Sequence, residues 1–289
     1  MRDGKLISVI VTTYNREDAL DAALRALANQ SDENFEIVIA DDGSRSDTAR
    51  VVEDWRSKLP MPLKHVRHQH RGFRGGEIRN RGIRASAGDI CIFLDGDCLA
   101  GADFVAVHRR LHEPGWFVTG NRILLSRELT ETVLAQGLAP ETWSFGALLR
   151  QRLRGGVNRL LPTLHLPLGR LRKLQGTRWE GAQTCNLAVA RGDLDRIDGF
   201  DCVYTGWGLE DSDLVVRLLH AGLRRKDGRF ATGVLHLWHP QNDRSQLPVN
   251  RTRLDEVMSG TRVRALRGLS LLGADDAVTV PENSSVAPR

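Results

Sequence analysis

Within the first hundred residues, four short apolar runs rich in valine and isoleucine alternate with segments of helical period. Residues 6–12 read as a buried strand. A helix follows in which Leu20, Ala23, Leu24 and Leu27 form an apolar stripe, with Asn15 expected to cap it. Residues 35–40 give a second strand, closed by Asp41-Asp42-Gly43-Ser44. Then come a helix over about 47–59, a strand at 63–68, a helix at 75–86 and a strand at 90–94, closed by Asp95-Gly96-Asp97. Strands that alternate with helices in this way must pair mainly in parallel, because each crossover returns the chain to the same edge. The expected fold class is therefore α/β, a Rossmann-like, mainly parallel sheet flanked by helices.

Ligands of such sheets bind at the carboxyl ends of the strands. Thr12-Thr13-Tyr14, Asp41 with Asp42, and Asp95 with Asp97 all fall at those ends. Neither G-x-G-x-x-G nor G-x-x-x-x-G-K-[ST] occurs, which excludes a dinucleotide fingerprint and a Walker loop.

The second half is less regular. A strand is expected at 185–190 and a helix near 211–221, after the turn Gly206-Trp207-Gly208. From Gly273 onward the tail is small and polar and reads as disordered. Of the 289 residues, 41% are hydrophobic and 27% charged, ordinary values for a soluble domain. No apolar run approaches the roughly 18–20 residues of a membrane-spanning helix. Cys91, Cys98, Cys185 and Cys202 lack zinc-finger spacing and are too few for a disulfide framework. With no signal architecture ahead of the first strand, a cytoplasmic protein with reduced thiols is expected.

The net charge of +5 is a local matter. Residues 142–179 contain no acid, while Arg150, Arg152, Arg154, Arg159, Arg170, Arg172, Lys173 and Arg178 are basic. Pro162 and Pro167 prevent this stretch from being one helix. It reads either as a solvated cationic surface or helical hairpin, or as a peripheral anchor on an anionic membrane at its inner face. The second reading rests on the leucines Leu148, Leu149, Leu153, Leu160 and Leu161 that interleave with the arginines. A nucleic-acid partner is not expected, because stacking aromatics occur only at the edges, at Trp143, Phe145 and Trp179.

Two acidic clusters and a histidine pair carry the chemistry. Asp95-Gly96-Asp97 puts two carboxylates at a strand end, where both can face a divalent cation bridging to a diphosphate; the alternative is an ordinary polar turn. Glu210 and Asp211 open a helix, where acids often only offset the helix dipole. Trp207 on a glycine-hinged loop directly before them suits a sugar, with a flat face for stacking and acids for hydroxyls. A carboxylate there can take a proton from an acceptor hydroxyl. Asp213 adds a third acid, turned about 200° from Asp211 on a helix. His236 and His239 are either satisfied core histidines or metal ligands. Two carboxylates plus imidazole would favour Mn2+ over Mg2+.

Residues 7–16 (Ile-Ser-Val-Ile-Val-Thr-Thr-Tyr-Asn-Arg), 36–44 (Glu-Ile-Val-Ile-Ala-Asp-Asp-Gly-Ser), Arg79-Asn80-Arg81-Gly82 and Phe93-Leu94-Asp95-Gly96-Asp97 together resemble a family 2 glycosyltransferase of the GT-A fold. Residues 185–189, Gly199-Phe200-Asp201 and Trp207-Gly208-Leu209-Glu210-Asp211 resemble the C-terminal half of galactosyltransferase-like GT-A enzymes, with their W-G-x-E-D motif. The resemblance implies inverting transfer of a hexosyl or N-acetylhexosaminyl group from a UDP-sugar to a saccharide or lipid-linked acceptor, as in cell-surface polysaccharide assembly. It implies a metal on the diphosphate. Asp42, with Asp41, would hold the uracil or ribose, and Thr13 and Tyr14 would line the base. Arg71, Arg74 or Arg79 would flank the nucleotide. Asp95 would meet the ribose or the metal's water shell, and Asp97 would be the direct ligand. His236 matches the metal histidine, with His239 in reserve. Glu210 would grip acceptor hydroxyls, Asp211 would be the general base, with Asp213 in reserve, and Trp207 would lie near donor sugar and acceptor.

The expected organisation is a nucleotide-sugar half over 1–125, a basic insert over 126–179, an acceptor and catalytic half over 180–260, and an extension over 261–289. The competing functions are a sugar-nucleotide nucleotidyltransferase and a non-catalytic carbohydrate-binding protein. The first would carry a glycine-rich phosphate loop where Thr12-Thr13-Tyr14-Asn15-Arg16 stands. The second would not need Asp97, His236 and Asp211 together.

Overall fold

The computed structural model describes residues 4–273 and 278–280. Its strands are β1 (Ile7–Thr13), β2 (Phe35–Asp41), β3 (Leu63–Arg67), β4 (Ile90–Asp95), β5 (Cys98–Ala100), β6 (Trp116–Thr119), β7 (Arg122–Leu124), β8 (Asn186–Ala190), β9 (Arg224–Asp227), β10 (Val234–His236) and β11 (Val278–Val280). The helices are α1 (Glu17–Ala28), α2 (Ser46–Arg56), α3 (Gly75–Ala85), α4 (Phe104–Leu111), α5 (Arg127–Gln136), α6 (Phe145–Leu153), α7 (Arg191–Ile197), α8 (Glu210–His220) and α9 (Leu247–Ser259). The tail expected to be disordered from Gly273 onward instead places Val278–Val280 as β11 against β3, while residues 274–277 and 281–289 lie outside the described residues.

Eight strands form one sheet in the order β11-β3-β2-β1-β4-β8-β6-β9. β3, β2, β1 and β4 run parallel, as the alternation demands. β8 runs antiparallel to both β4 and β6, and β11 antiparallel to β3. Along β1 the side chains divide between the two faces. Val9 and Val11 pack with Leu20, Leu24 and Leu27 of α1, while Ile10 packs with Ile78 and Ile83 of α3. Both faces are thus dry, which explains why β1 is nearly continuously apolar. Gly82 lets α3 lie flat on the sheet, since a Cβ there would sit 2.7 Å from Ile10 Cγ2.

α1 is buried on a second side as well. Ala19, Ala22, Ala23 and Ala26 pack with Leu99, Ile123, Leu235 and Leu237. These small residues let the three-stranded sheet β5-β10-β7 approach the helix closely. The sheet is short, but it carries β10 and its histidines to the end of β4.

Asn15 does not cap α1. It adopts a left-handed conformation (φ 48°), and its Oδ1 accepts from Arg45 N–H at 2.9 Å. The cap position is Arg16, without a side-chain hydrogen bond. Asn15 instead ties the end of β1 to the turn after β2.

Candidate active site

The two acidic turns are anchored to one strand end. Asp42 N–H donates to Thr13 O at 3.0 Å and Gly96 N–H donates to Thr12 O at 2.8 Å. β1 lies between β2 and β4, so the crevice opens where the strand order switches direction. At Gly96 a Cβ would stand 3.0 Å from Thr12 O and 3.1 Å from Thr13 Cβ, so this turn is tight enough to favour glycine. The Thr13 hydroxyl is buried there without a hydrogen-bond partner.

Asp97 leads into β5, and β5 pairs antiparallel with β10 so that Cys98 faces His236. Leu237 N–H donates to Asp97 O at 2.9 Å. That register brings His236 Nε2 to 3.5 Å from Asp97 Oδ1, and His239 Nε2 to 3.6 Å from Asp97 Oδ2. His239 Nδ1 donates to Pro240 O at 2.7 Å, so Nε2 is the ring nitrogen turned to the carboxylate. Ligating atoms of Asp97, Cys98 and His236 lie within 4.8 Å of one another. The donor set of carboxylate and imidazole therefore fits a divalent transition-metal ion.

Arg79 is the electrostatic centre of the other half. It rises from α3, buried, and reaches Glu210 Oε1 at 3.1 Å and Asp95 Oδ1 at 3.3 Å. Burial disfavours its charge, yet Asp95, Glu210 and Asp211 together hold it above the ordinary arginine value. The fork spans β4 and the start of α8. Burial and the adjacent Glu210 push Asp211 up to about 7, against the pull of Arg79. Asp211 is half-buried as a residue, and its carboxylate accepts from Ser212 N–H at 2.7 Å. Oε2 of Glu210 is buried without a partner. One carboxylate is thus held by a cation while its neighbour titrates near neutrality, a division that suits binding by the first and proton transfer by the second.

Asp42 is buried in a network that the sequence did not announce. Its Oδ1 accepts from His68 at 2.5 Å and its Oδ2 from Arg74 N–H at 3.1 Å. A carboxylate has further lone pairs, so both bonds leave room for another donor. Burial opposes a charged His68, but Asp42 and Glu77 outweigh it and raise the ring above its ordinary value. Bonding to His68 and Arg81 takes Glu77 down to about 2. Tyr14 is 42% exposed and stacks on His70, with ring centroids 4.4 Å apart.

Three sequence candidates stand elsewhere. Asp41 is fully buried and braces the turn, accepting from Ser44 N–H at 2.7 Å and His65 at 3.1 Å. Asp213 is fully buried, paired with Arg217 at 2.7 Å and Arg262 at 3.4 Å. It faces away from Asp211 as helical geometry requires. Arg71 is exposed and donates to Gln69 Oε1 at 3.3 Å.

The loop that carries Trp207 is held from α9. Asn250, fully buried, donates to Thr205 O at 3.1 Å and Gly208 O at 3.0 Å. Gly206 N–H donates to Phe73 O at 3.1 Å. Gly206 and Leu209 both have positive φ (69° and 75°), and Arg244 lies over the Trp207 ring at 4.9 Å. Asn250 had no sequence signal beyond being polar within a helix.

The profile of Glycosyl transferase family 2 matches residues 8–168, and that of the N-terminal domain of galactosyltransferase matches residues 175–240. Over 248 residues the chain is 30% identical to validoxylamine A glucosyltransferase of Streptomyces hygroscopicus subsp. limoneus, covering 79% of this chain and 51% of that one. Over 239 residues it is 26% identical to chondroitin synthase of Pasteurella multocida, covering 78% of this chain and 24% of that one. The chain thus spans about half the length of the first relative, and less of the second. Among solved structures, it resembles a Pyrobaculum calidifontis mannosyltransferase in complex with GDP-Man and Mn2+ (TM-score 0.59, 18% identity, 87% of this chain and 62% of that one). It also resembles S. aureus TarS in complex with UDP (TM-score 0.60, 17% identity, 92% of this chain and 68% of that one).

Proposed function

Because the chain belongs to glycosyl transferase family 2 and has the GT-A fold, we propose that it moves a hexosyl or N-acetylhexosaminyl group from a UDP-sugar to a hydroxyl of a saccharide or lipid-linked acceptor, inverting the anomeric centre. The observation that carries this reading is the meeting, at one sheet end, of the Asp97–His236–His239 cluster with the Arg79–Glu210–Asp211 group.

The nucleotide lies over the ends of β1 and β2. Asp42 accepts from the base or ribose, while Thr13 and the exposed Tyr14 ring line it. Arg74 closes the turn, and its N–H on Asp42 fixes the carboxylate. Asp95, gripped by Arg79, faces the ribose side of the diphosphate. A divalent cation bound by Asp97, His236 and His239, with Mn2+ favoured over Mg2+ by the imidazoles, would offset the charge that develops on the leaving diphosphate. Asp211 takes the proton from the acceptor hydroxyl as that oxygen attacks the anomeric carbon from the opposite face. Glu210, held by Arg79, accepts a second acceptor hydroxyl through its free Oε2. Trp207 supplies the flat wall between donor sugar and acceptor.

The test is transfer or hydrolysis with a panel of UDP-sugars and GDP-sugars, with and without Mn2+, followed by NMR of the product anomer. A UDP-sugar used only with the metal, giving the inverted anomer, is the expected result. Activity with GDP-sugars alone would overturn the donor, and a retained anomer would overturn the role given to Asp211.

A further inference from the structure

The segment between β7 and β8 is rooted on the strand that carries His236. Leu125 N–H donates to His236 O at 2.9 Å, Ser126 N–H to Gly156 O at 2.8 Å, and Trp238 N–H to Thr130 Oγ1 at 2.8 Å. From that root the segment rises as α5 and α6. It then bears an apolar surface that the fold does not cover. Of the fourteen large apolar side chains exposed among the described residues, seven lie within residues 145–174, so the exposure is concentrated in this one segment.

α6 shows the pattern most clearly. Leu148 is buried and seats the helix. Phe145, Leu149 and Leu153, at i, i+4 and i+8, are 49%, 40% and 79% exposed. Their spacing places them within an arc of about 80° on one face. Arg150, Arg152 and Arg154 flank that stripe, exposed, and meet no carboxylate among the described residues. Residues 142–179 contain no acid at all. Leu161, Leu171 and Leu174 add further exposed apolar groups in the turns that follow, beside Arg170.

We propose that α6 and the turns after it dock the chain on an anionic lipid bilayer surface. An apolar strip bordered by unpaired guanidinium groups matches such a surface on both counts. The leucines and Phe145 enter the boundary between headgroups and acyl chains, and the arginines bond the headgroup phosphates. A second copy of the chain fits less well, because a two-fold contact through this stripe would bring like-charged arginines together. A nucleic acid fits less well because the stripe offers one exposed ring where a stacking platform needs several. The bonds at its root tie the start of the segment to β10, the strand that carries His236. Among the described residues no helix is long and apolar enough to cross a membrane.

Lipid binding is read with no nucleotide, metal or acceptor present, so its outcome is independent of the donor and mechanism proposed above. The experiment is co-sedimentation of the full chain at low salt with vesicles of phosphatidylcholine containing about one third phosphatidylglycerol, against pure phosphatidylcholine. The anionic vesicles are expected to bind at least about tenfold more tightly, with the difference shrinking in salt. The paired substitution Leu149→Asp with Leu153→Asp, and separately the triple Arg150→Gln, Arg152→Gln and Arg154→Gln, should each reduce binding by about tenfold or more. Leu266→Asp, an exposed leucine outside the segment, should leave it unchanged. Unaltered thermal unfolding in each variant shows that the fold is intact. No binding to anionic vesicles, or equal binding by all variants, overturns the proposal. So does a concentration-dependent dimer that the leucine variants abolish in the absence of vesicle binding.

Discussion

Asp97 Oδ1 stands 3.5 Å from His236 Nε2, across the short antiparallel pairing of β5 with β10. His239 Nε2 stands 3.6 Å from the other oxygen of the same carboxylate. Ligands of one transition-metal ion, each about 2.1 Å from it, are separated by roughly this much. Two imidazoles on one carboxylate predict that neither histidine alone accounts for metal affinity. His236→Ala and His239→Ala should each weaken Mn2+ binding by about tenfold or more, measured by Mn2+ electron paramagnetic resonance. Unchanged affinity in His239→Ala would assign the site to Asp97 and His236 without it.

The carboxyl of Asp211 is the base in this account, and burial beside Glu210 raises it to about 7. Asp211→Asn should lower kcat by about 100-fold to 10,000-fold with little change in UDP affinity. In the wild type kcat/KM should rise with pH and level off above about 7, as the carboxylate forms. Stability runs the other way. The unfolded chain gives up this proton near the ordinary value of 3.8, so between 3.8 and 7 the folded state holds more protons and loses stability as pH rises. Asp211→Asn should therefore melt at a higher temperature than the wild type near about pH 8, and the gap should close as pH falls toward 4. Scanning calorimetry across that range checks the sign.

Asp213 provides the contrast. Its partners Arg217 and Arg262 are structural, so Asp213→Asn should lower stability rather than abolish turnover. Removing one partner of a buried ion pair costs about 3–5 kcal/mol, read by urea unfolding. Full stability with lost activity would exchange the roles of the two acids.

Arg79 holds Glu210 and Asp95 in one fork and lowers the energy of ionised Asp211. Arg79→Gln removes that charge. The pH at which kcat/KM levels off should move upward, and unfolding should cost about 3 kcal/mol less, since two carboxylates lose their buried partner. Arg79→Lys restores the charge but not the fork, and should recover only part of either effect.

Asn250 acts through the loop before α8. Asn250→Ala leaves Thr205 O and Gly208 O unpaired, a cost of about 1–3 kcal/mol. Loosening Trp207 should raise the acceptor KM while the UDP dissociation constant stays the same. Equal changes in both would mark Asn250 as a general support of the fold instead.

The central sheet could be read from β1, β2 and β4 because a period of two, filled on both faces, leaves a nearly continuous apolar signal. The DGD turn and the helix start at Glu210 were legible for the same reason: they are local. The pairing that brings His236 to Asp97 was not, because β5 and β10 are three residues each, too short for any period to show. Asn15 misled because Asn before a helix usually caps it, whereas here its left-handed backbone turns the side chain to Arg45 N–H. Asp41 and Asp42 are adjacent in sequence and alike in type. Strand alternation sends one to brace a turn and leaves the other at the crevice. Arg79 was expected beside the nucleotide, but its burial between three carboxylates depends on α8 packing near α3, a long-range contact without a sequence pattern.

The central claim is a metal-dependent nucleoside diphosphate site built on Asp97. Calorimetric titration of UDP into the wild type and into Asp97→Ala, each with and without Mn2+, tests it without knowledge of donor sugar or acceptor. The account predicts UDP binding that tightens by about tenfold or more with Mn2+ in the wild type, and no such gain in the variant. UDP binding indifferent to both Mn2+ and Asp97 would contradict it.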